Sequence, residues 1–395
     1  MSNNSNNQEK ITKDTEITMG DPFKAKSHWQ LMWQEFKNHK LAMGGIIVLI
    51  ILYVSALFAG FLTPYNPNER FSEYQNIAPQ TIKFIDEDGL SAPYVHPVVG
   101  ERNMETLAME FTVDETQKIP VDFLYRAEDT YKFMGLFETN LKLFGSDETQ
   151  MFLFGTDGLG RDIFSRTIHG ARLSLTVGLI GISVSLVLGL LLGGISGYMG
   201  GMVDNFIQRV IEFTLAIPKI PLWMGLGAAL PQDWSVIQVY FAITVILSLT
   251  GWVGMARVLR GQILSLKEED FVKAARAAGA KGGRIISKHL LPNCMSYILV
   301  NLTLAIPGMI IGETALSFLG LGLRPPAVSW GVLLQEAQNV RAVADYPWYF
   351  IPGVFVIIAV LAFNFVGDGL RDAKRCCRSI SLKLQIKDGI INYEK

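Results

Sequence analysis

Long runs of apolar residues without a charged side chain recur along this chain. Five of them reach about 20 residues, the length that a helix needs to cross the hydrocarbon core of a membrane. A sixth segment, residues 206–230, is apolar but holds Arg209, Glu212 and Lys219 beside two prolines, so we predict a span with a kink. The pattern therefore predicts six membrane-spanning helices. The five uncharged runs are Leu41–Asn68, Leu173–Val203, Trp234–Ala256, Asn293–Gly312 and Tyr346–Gly367.

The composition agrees with a membrane protein. Hydrophobic residues make up 50% of the chain and charged residues only 18%, whereas about a quarter of the residues in soluble domains are charged. A formal net charge of −1, with no basic stripe, argues against a nucleic-acid-binding protein. Neither the five scattered histidines nor the cysteines Cys294, Cys376 and Cys377 have metal-ligand spacing, so we predict no metal site and no catalytic cluster.

The placement of Lys and Arg predicts the orientation of the spans. Residues 257–288 hold eight basic and three acidic residues, whereas residues 66–170 hold nine basic and eighteen acidic ones. We therefore expect residues 257–288 and both termini in the cytoplasm. The expected divisions are a cytoplasmic tail with an interfacial helix over 1–40, a first span over 41–65, an extracytoplasmic insertion over 66–170, a core with five spans over 171–370 and a cytoplasmic tail over 371–395.

The insertion is expected to be partly β. Its stretches QTIKFID, APYVHPVV and KIPVDFLY combine β-forming residues with turn residues.

An amphipathic helix is expected before the first span. Four apolar residues recur there at helical spacing on one face, and Ser27 is a candidate N-cap. Such a helix could lie in the membrane interface; the alternative is an amphipathic start to the first span. The four residues are Trp29, Met32, Trp33 and Phe36.

A charged, alanine-rich stretch, EEDFVKAARAAGAKGGRIISKHLLPN, lies between the fourth and fifth of the six predicted spans. Ser265 is a candidate N-cap, and the acidic residues 268–270 would then occupy the first turn, where the helix macrodipole favours negative charge. Gly279 predicts the helix end, and Pro292 the end of the segment that returns to the membrane. A partner could approach the small-residue face closely, although an ordinary surface helix has the same pattern. This face comprises Phe271, Ala274, Ala275 and Ala278.

Four motifs of this chain together resemble those of one transporter family. In the alanine-rich stretch, Ala274 and Ala275 are followed after three residues by Gly279, and HLLP follows after nine more residues. This resembles the cytoplasmic signature of ABC importer permeases, E-A-A-x3-G-x9-I-x-L-P, with Lys273 and His289 in place of Glu and Ile. The stretches FGTDGLGRDIFSRTIHGARLSL, GETALSFLGLGLRPPAVSWG and LAFNFVGDGLRDA resemble the C-type permease subunit of oligopeptide and dipeptide ABC importers. YKFMGLFETNLKLFG resembles the end of the outer insertion of some of these subunits, and the tail after Ala373 departs from the family.

The resemblance implies an all-α, six-span permease subunit in a bacterial inner membrane, not itself an enzyme, that imports oligopeptides or dipeptides. The implied partners are a second, B-type permease subunit, two ABC ATPase subunits, an extracytoplasmic peptide-binding protein and membrane lipid. Because the chain lacks a GxxxxGK[ST] phosphate loop, partner subunits would use the ATP and no cofactor is expected here. The alanine-rich helix would couple to an ATPase. The expected coupling residues are Glu269, Phe271, Ala274, Ala275, Ala278, Gly279 and Pro292.

Two charged residues are candidates for the translocation path. Glu313 lies in an apolar segment, where an acid usually faces a cavity or a partner; the alternatives are a helix-packing hydrogen bond and a position near the outer surface. Lys219, between two prolines, is a candidate for binding peptide carboxylates, with snorkelling toward one surface as the alternative. The stretch GTDGLGRD lacks EF-hand spacing and is interpreted as a turn and cap that enter the second span.

Two other functional classes have their own sequence signatures. A secondary transporter would show buried charge pairs or inverted repeats, and a membrane enzyme would need a nucleophile or a metal cluster. The sequence shows no convincing pattern of either kind. Sister permeases for nickel chelates or another small solute share these motifs, so such a solute is the alternative substrate class.

Overall fold

A computed structural model describes residues 28–391, except 87–88, 103, 105–108, 134–136, 147 and 340–343. The predicted tail before residue 28 and the candidate cap Ser27 lie outside the described residues. The chain divides into two compact units, one of residues 1–38 and 372–395 and the other of residues 39–371. The candidate functional residues lie in the second unit.

The first unit contains the amphipathic helix α1 (His28–Asn38). Met32 and Phe36, one helical turn apart, are buried. The ring of Trp33 stacks on that of Phe36 at a centroid distance of 5.7 Å, but Trp33 is 50% exposed. The apolar face that the spacing predicted is thus only partly covered, and its placement at a membrane interface stays a prediction.

Helices make up most of the second unit. In chain order they are α2 (Lys40–Leu57), α3 (Ala59–Leu62), α4 (Ile163–Met199), α5 (Gly201–Ala216), α6 (Lys219–Ala228), α7 (Val236–Leu266), α8 (Asp270–Ala277), α9 (Gly282–Ile285), α10 (Leu291–Phe318), α11 (Trp330–Glu336) and α12 (Ile351–Ile391); a π-helical turn covers Ile286–Leu290 and a 3-10 turn Pro347–Phe350. Helix α12 continues into the first unit.

Five helical stretches of the described residues are long and apolar enough to cross a membrane. They are α2, α4, α7, the continuous stretch Gly282–Phe318 and the stretch Pro347–Lys374. Helices α5 and α6 pass the same test together, but the chain bends by 83° between them. If this pair is one broken span, the total is six, and the break falls at the prolines where the sequence predicted a kink.

Two of these helices are longer than the uncharged runs that predicted them. Helix α4 begins well before its run, because the carboxylate of Asp162 caps it by accepting from the amides of Phe164 and Ser165. Helix α7 continues through Arg257 to Leu266. A charged side chain ends an apolar run, but it does not end the helix.

Helices α4 and α7 approach each other closely along glycines spaced four residues apart. A Cβ atom on Gly193 would lie 2.6 Å from the carbonyl oxygen of Ala256, and one on Gly197 would lie 2.9 Å from the Cβ of Ile263. Small residues at this spacing allow two helix backbones to pack directly in a membrane. Larger side chains would push the two helices apart.

Side chains of α2, α4, α7, α10, α11 and α12 form the main apolar core. Among them, Leu175, Ile243, Leu247, Ile310 and Trp330 are at most 1% exposed. Large apolar side chains also cover the outside of the bundle, as expected of a protein surrounded by lipid.

The segment between α3 and α4 forms small antiparallel sheets. The described strands are β1 (Lys83–Asp86), β2 (Gly89–Val95), β3 (Val98–Arg102), β4 (Met109–Val113), β5 (Ile119–Pro120), β6 (Asp122–Phe123), β7 (Arg126–Phe133), β8 (Phe137–Leu141) and β9 (Phe144–Gly145). The pairings are β1 with β2, β2 with β5, β3 with β4, β6 with β9 and β7 with β8. A cluster of Val95, Ile119, Val121, Phe144 and Met151 forms an apolar core in this segment. The three stretches that predicted strands all contribute to these sheets.

Candidate functional sites

The alanine-rich stretch folds as the short helix α8, between α7 and the stretch Gly282–Phe318. The prediction that Ser265 caps it is wrong, because α7 continues through Ser265 and Glu269 occupies the N-cap position. Of the three acidic residues only Asp270 lies in the first turn, and Glu269 makes no side-chain capping hydrogen bond. All three are exposed, and their negative charge lies at the helix end that favours it.

Val272 attaches α8 to the helix bundle. Its side chain is fully buried and belongs to an apolar cluster with Ile263 of α7 and with Ile285 and Leu290 of the returning segment. Complete burial of one such side chain contributes about 1.5–3 kcal/mol. The alanine-face prediction did not include Val272, although a single β-branched residue in a polar helix indicates such an anchor.

The expected coupling residues of α8 lie mostly at the surface. Phe271 is 40% exposed, Ala274 and Ala278 are exposed, and Ala275 is half-buried. The face that the sequence predicted therefore carries one large apolar side chain among small ones, on a helix whose opposite side is anchored. This geometry can present a rigid surface to another protein.

Gly279 ends α8 in the way that the sequence predicted. Its φ of +81° lies in the left-handed region, and nothing surrounds the position that a Cβ atom would occupy. The amide of Gly279 donates to the carbonyl of Arg276 at 3.0 Å, and the amide of Ala280 donates to that of Ala275 at 3.1 Å. These two bonds form a Schellman motif. The backbone conformation, not the available space, requires glycine here.

Tyr198, at the end of α4, contacts the chain on both sides of this turn. The guanidinium carbon of Arg276 lies 5.8 Å from the centre of the Tyr198 ring, within cation–π range. A Cβ on Gly282 would lie 2.8 Å from the same ring. Helix α4 is thus coupled by contact to the end of α8, a connection that no sequence spacing indicated.

Pro292 does not end the returning segment, so that prediction is wrong. The helix runs from Gly282 to Phe318 without interruption and includes Pro292 in the first turn of α10. A proline inside a helix lacks an amide donor and clashes with the carbonyl four residues before it. The π-helical turn directly before it relieves this conflict: the amide of Leu291 donates to the carbonyl of Ile286, five residues back. Pro292 itself is exposed.

Lys219 begins α6, at the break between α5 and α6, and is exposed. It lines a cavity of about 500 Å³ whose walls come from α4, α5, α6, α7 and α10. Arg257 of α7 and Asn301 of α10 line the same cavity. The structure thus places one of the two candidate path residues at an open cavity. It adds Arg257, whose charge had entered only the prediction of orientation.

Glu313 does not reach that cavity in this conformation. It is fully buried in α10 and accepts hydrogen bonds from the hydroxyls of Ser317 at 2.8 Å, Ser329 at 2.9 Å and Ser174 at 3.3 Å. Each serine oxygen in turn accepts a backbone amide, from Leu323, Val332 and Trp330 respectively. These contacts correspond to the alternative in which Glu313 makes packing hydrogen bonds. Its carboxylate organises the loop between α10 and α11.

A buried ion-pair cluster connects the start of α4 to α11. Arg161 donates to Asp157 at 2.8 Å and to Glu336 at 2.6 Å, and Arg166 contacts both carboxylates. Burial raises the pKa of Glu336, and the charge of Arg166 opposes that rise. Asp157 also accepts the backbone amides of Leu159 and Arg161. The stretch GTDGLGRD is therefore a turn and cap, as predicted, whose first aspartate binds arginines from the same region.

The comparisons with known proteins agree with this architecture. Residues 185–373 match the family described as binding-protein-dependent transport system inner membrane component, and residues 27–79 match the N-terminal TM domain of oligopeptide transport permease C. The chain is 33% identical over 347 residues to the dipeptide transport system permease protein DppC of Bacillus subtilis (strain 168), covering 88% of this chain and 85% of that protein.

Two further similarities extend the comparison. The oligopeptide transport system permease protein OppC of Bacillus subtilis (strain 168) is 41% identical over 216 residues, which cover 54% of this chain and 68% of that protein. A solved chain of the inward-facing MetNI methionine ABC transporter aligns with a TM-score of 0.40 and 18% identity, covering 53% of this chain and 97% of that chain.

The apolar helices suffice for five or six membrane crossings, and a short exposed helix lies on one connecting loop. This architecture defines a multi-pass helical membrane protein. The alignment with 85% of a dipeptide permease protein shows which family of membrane proteins this is. The chain belongs to the dipeptide and oligopeptide permease C family of binding-protein-dependent inner membrane transport components. It is accordingly a permease subunit of the inner membrane.

Proposed function

We propose that this chain forms half of the translocation path of an ATP-driven importer of dipeptides or oligopeptides. Its relatives are named as dipeptide and oligopeptide permeases, and the chain aligns with most of their length. The structural observation that carries the proposal is α8, a short helix anchored on one side by Val272 and exposed on the other.

The proposed partners supply what this chain lacks. A second, B-type permease subunit completes the path, two ABC ATPase subunits bind and hydrolyse ATP, and a binding protein delivers the peptide from outside. In this arrangement α8 and both termini are cytoplasmic, and the sheets between α3 and α4 are extracytoplasmic. The helix α4 starts beside the sheets and ends beside α8, so its length of about 55 Å separates the two sites.

Helix α8 transmits movement between an ATPase and the bundle. Its exposed side enters a groove of the ATPase, and its buried side moves α7 and the returning segment as one body, because Val272 is held by both. ATP then shifts the balance between inward-facing and outward-facing states by stabilising one set of contacts. The exposed coupling residues include Glu269, Phe271, Ala274, Ala278 and Gly279, with Ala275 half-buried beside them.

Lys219 belongs to the path and Glu313 supports it. Lys219 is exposed at the cavity wall, where a passing peptide can reach it. Glu313 positions the loop before α11 through its serine contacts.

The decisive experiment measures peptide-stimulated ATP hydrolysis and peptide uptake in proteoliposomes. The vesicles hold this chain with its partner permease, both ATPases and the binding protein, and are compared with vesicles carrying Gly279→Pro. Proline requires φ near −65°, so it cannot adopt the +81° of Gly279, and the end of α8 must distort. Gly283→Ala is the matched control, because Gly283 has no positive φ and a Cβ there contacts nothing.

The expected result is peptide-stimulated hydrolysis in the wild type and in Gly283→Ala. Gly279→Pro should assemble and hydrolyse ATP, but without stimulation by peptide. Normal coupling in Gly279→Pro would show that α8 does not transmit the movement. Uptake of a nickel chelate with no uptake of any peptide would replace the peptide proposal by its alternative.

A further inference from the structure

The cavity beside Lys219 has a one-sided charge. Its lining includes Lys219 and Arg257 and, among the described residues, no aspartate or glutamate. The remaining walls are apolar or neutral, with Trp223 and Asn301 among them. An anionic group that entered this cavity would therefore meet two positive charges and no negative one.

Two other arginines of the membrane helices, Arg260 and Arg172, have hydrogen-bond partners within the chain. Arg260 binds the carboxylate of Asp204, and Arg172 donates to the carbonyls of Ala56 and Leu57 at 2.6 and 3.1 Å. In the part of the chain that the structure describes, the side chains of Lys219 and Arg257 make no ion pair, hydrogen bond or cation–π contact. Charged side chains within membrane segments are costly, and they are typically paired or functional.

The position of Lys219 makes its charge less favourable still. It is the first residue of α6, where the partial positive charge of the helix amides repels a cation. Pro218 provides no side-chain cap there. The helix start would favour an acidic or neutral residue at this point, so a negative partner in the cavity would stabilise the lysine.

The shape of the cavity admits such a partner. Cβ atoms on Gly254 of α7 and Gly308 of α10 would have no neighbour within 4 Å, so both walls leave open space. The indole of Trp223 is held in place by a 3.1 Å hydrogen bond to Thr250. The two cations thus stand on different helices, α6 and α7, around a volume that a peptide end can occupy.

We propose that Lys219 and Arg257 form a carboxylate-binding subsite, which receives the C-terminal carboxylate of the peptide during translocation. The inference rests on the proposed peptide transport. Charge-assisted hydrogen bonds from Lys and Arg to a carboxylate are strong, and Arg can bind both oxygens. Two cations on separate helices offset the loss of hydration that the peptide carboxylate undergoes in the cavity. When the helices separate, the carboxylate is released.

The test compares a peptide with a free C-terminus to the same peptide with a C-terminal amide, in proteoliposomes holding the complete complex. The binding protein must bind both forms with measured affinity. The measured quantity is kcat/KM for uptake of the peptide with a free C-terminus, divided by kcat/KM for uptake of the amidated peptide. Because all variants share one binding protein, its own preference cancels when ratios are compared. The variants are Lys219→Gln, Arg257→Gln, the double variant and the conservative pair Lys219→Arg and Arg257→Lys.

The double variant should lower the acid-to-amide ratio by about tenfold or more, as expected for lost charge-assisted hydrogen bonds. The conservative variants should keep most of the wild-type ratio. Arg209→Gln is the matched control: this exposed arginine pairs with Glu212 and does not line the cavity. It should leave the ratio unchanged.

Each other outcome contradicts a defined statement. An unchanged ratio in the double variant, with normal uptake, overturns the subsite and leaves peptide transport intact. Failure of the double variant to copurify with the partner permease also overturns it, because the cations would then pair with that subunit. Absence of wild-type uptake of either form contradicts the proposed function itself.

Discussion

Arg260 and Asp204 form a two-point ion pair that joins α7 to the start of α5. The Nε and Nη2 atoms of Arg260 each donate to a different carboxylate oxygen of Asp204, both at 2.6 Å. The hydroxyl of Ser196, in the last turn of α4, donates to the same carboxylate. Three helices thus meet at one carboxylate, close to the loop that carries α8.

Breaking this pair should loosen the connection between α8 and the broken helix. We expect Asp204→Asn to lower the stability of the permease by about 1–3 kcal/mol, the cost of leaving a partly buried charge without its partner. The peptide-stimulated part of ATP hydrolysis should fall further than the basal part. Thermal unfolding in detergent and ATPase assays of the reconstituted complex measure the two effects.

The exchanged pair Asp204→Arg with Arg260→Asp provides the specific control. Partial recovery of peptide-stimulated hydrolysis in the double variant would show that the pair itself matters. If each single variant couples as well as the wild type, the connection has no part in transmission.

The anchor Val272 gives a second prediction. Val272→Asp should keep the permease assembled in the membrane but uncouple ATP hydrolysis from peptide, because a carboxylate cannot stay in the apolar cluster with Ile263 and Ile285. Val272→Ile keeps the apolar contact and should couple normally. A coupling ratio, peptide imported per ATP hydrolysed, distinguishes these variants. Equal ratios in both would show that α8 does not depend on this anchor.

Glu313 gives a third prediction, about stability. Glu313→Leu removes the acceptor for three serine hydroxyls, and even one buried unsatisfied group costs about 1–3 kcal/mol. Glu313→Gln keeps one acceptor oxygen, and the serine hydroxyls can rotate to accept from its amide group. The midpoint of thermal unfolding should therefore fall clearly for leucine and only slightly for glutamine.

Transport assays separate this supporting role from a direct one. Glu313→Gln should retain uptake of peptides whatever the charge of their N-terminus. Selective loss of peptides with a free amine would instead assign Glu313 to the translocation path.

The outer hairpin gives a fourth prediction. Among the strands that the structure describes, β3 and β4 pair only with each other. Their ends meet where the amide of Asp114 donates to the carbonyl of Pro97 at 2.9 Å. An Asn-Gly turn can therefore replace residues 98–113 without disturbing the apolar cluster around Val95. If this insertion helps to dock the binding protein, docking affinity should fall at least tenfold, as measured by binding to reconstituted vesicles.

Two point variants support the hairpin experiment. Val99 and Met109 are apolar and nearly half-exposed on this hairpin, so Val99→Thr and Met109→Gln should reduce docking without changing the fold. Unaltered docking and uptake after removal of the hairpin would show that the hairpin does not dock the binding protein.

The apolar helices that can span a membrane and the bend between α5 and α6 were predictable from the sequence, because each depends on residues adjacent in the chain. Uncharged runs predicted the helices that can cross the membrane. The prolines beside Lys219 predicted the bend between α5 and α6. The end of α8 was predictable for the same reason, since Gly279 acts through its own backbone. Helix starts were less accurate: Asp162 begins α4 earlier, and Ser265 lies inside α7 rather than capping α8.

The chain by itself thus determined the apolar spans, the motifs of the family and the short helix α8, since local composition and spacing control them. Only the tertiary structure decided which charged side chains have hydrogen-bond or ion-pair partners within the described chain. Glu313 meets serines from three elements, whereas Lys219 and Arg257 face one cavity from different helices. A charge inside a membrane protein acquires its role from partners distant in sequence, and helix packing alone brings those partners together.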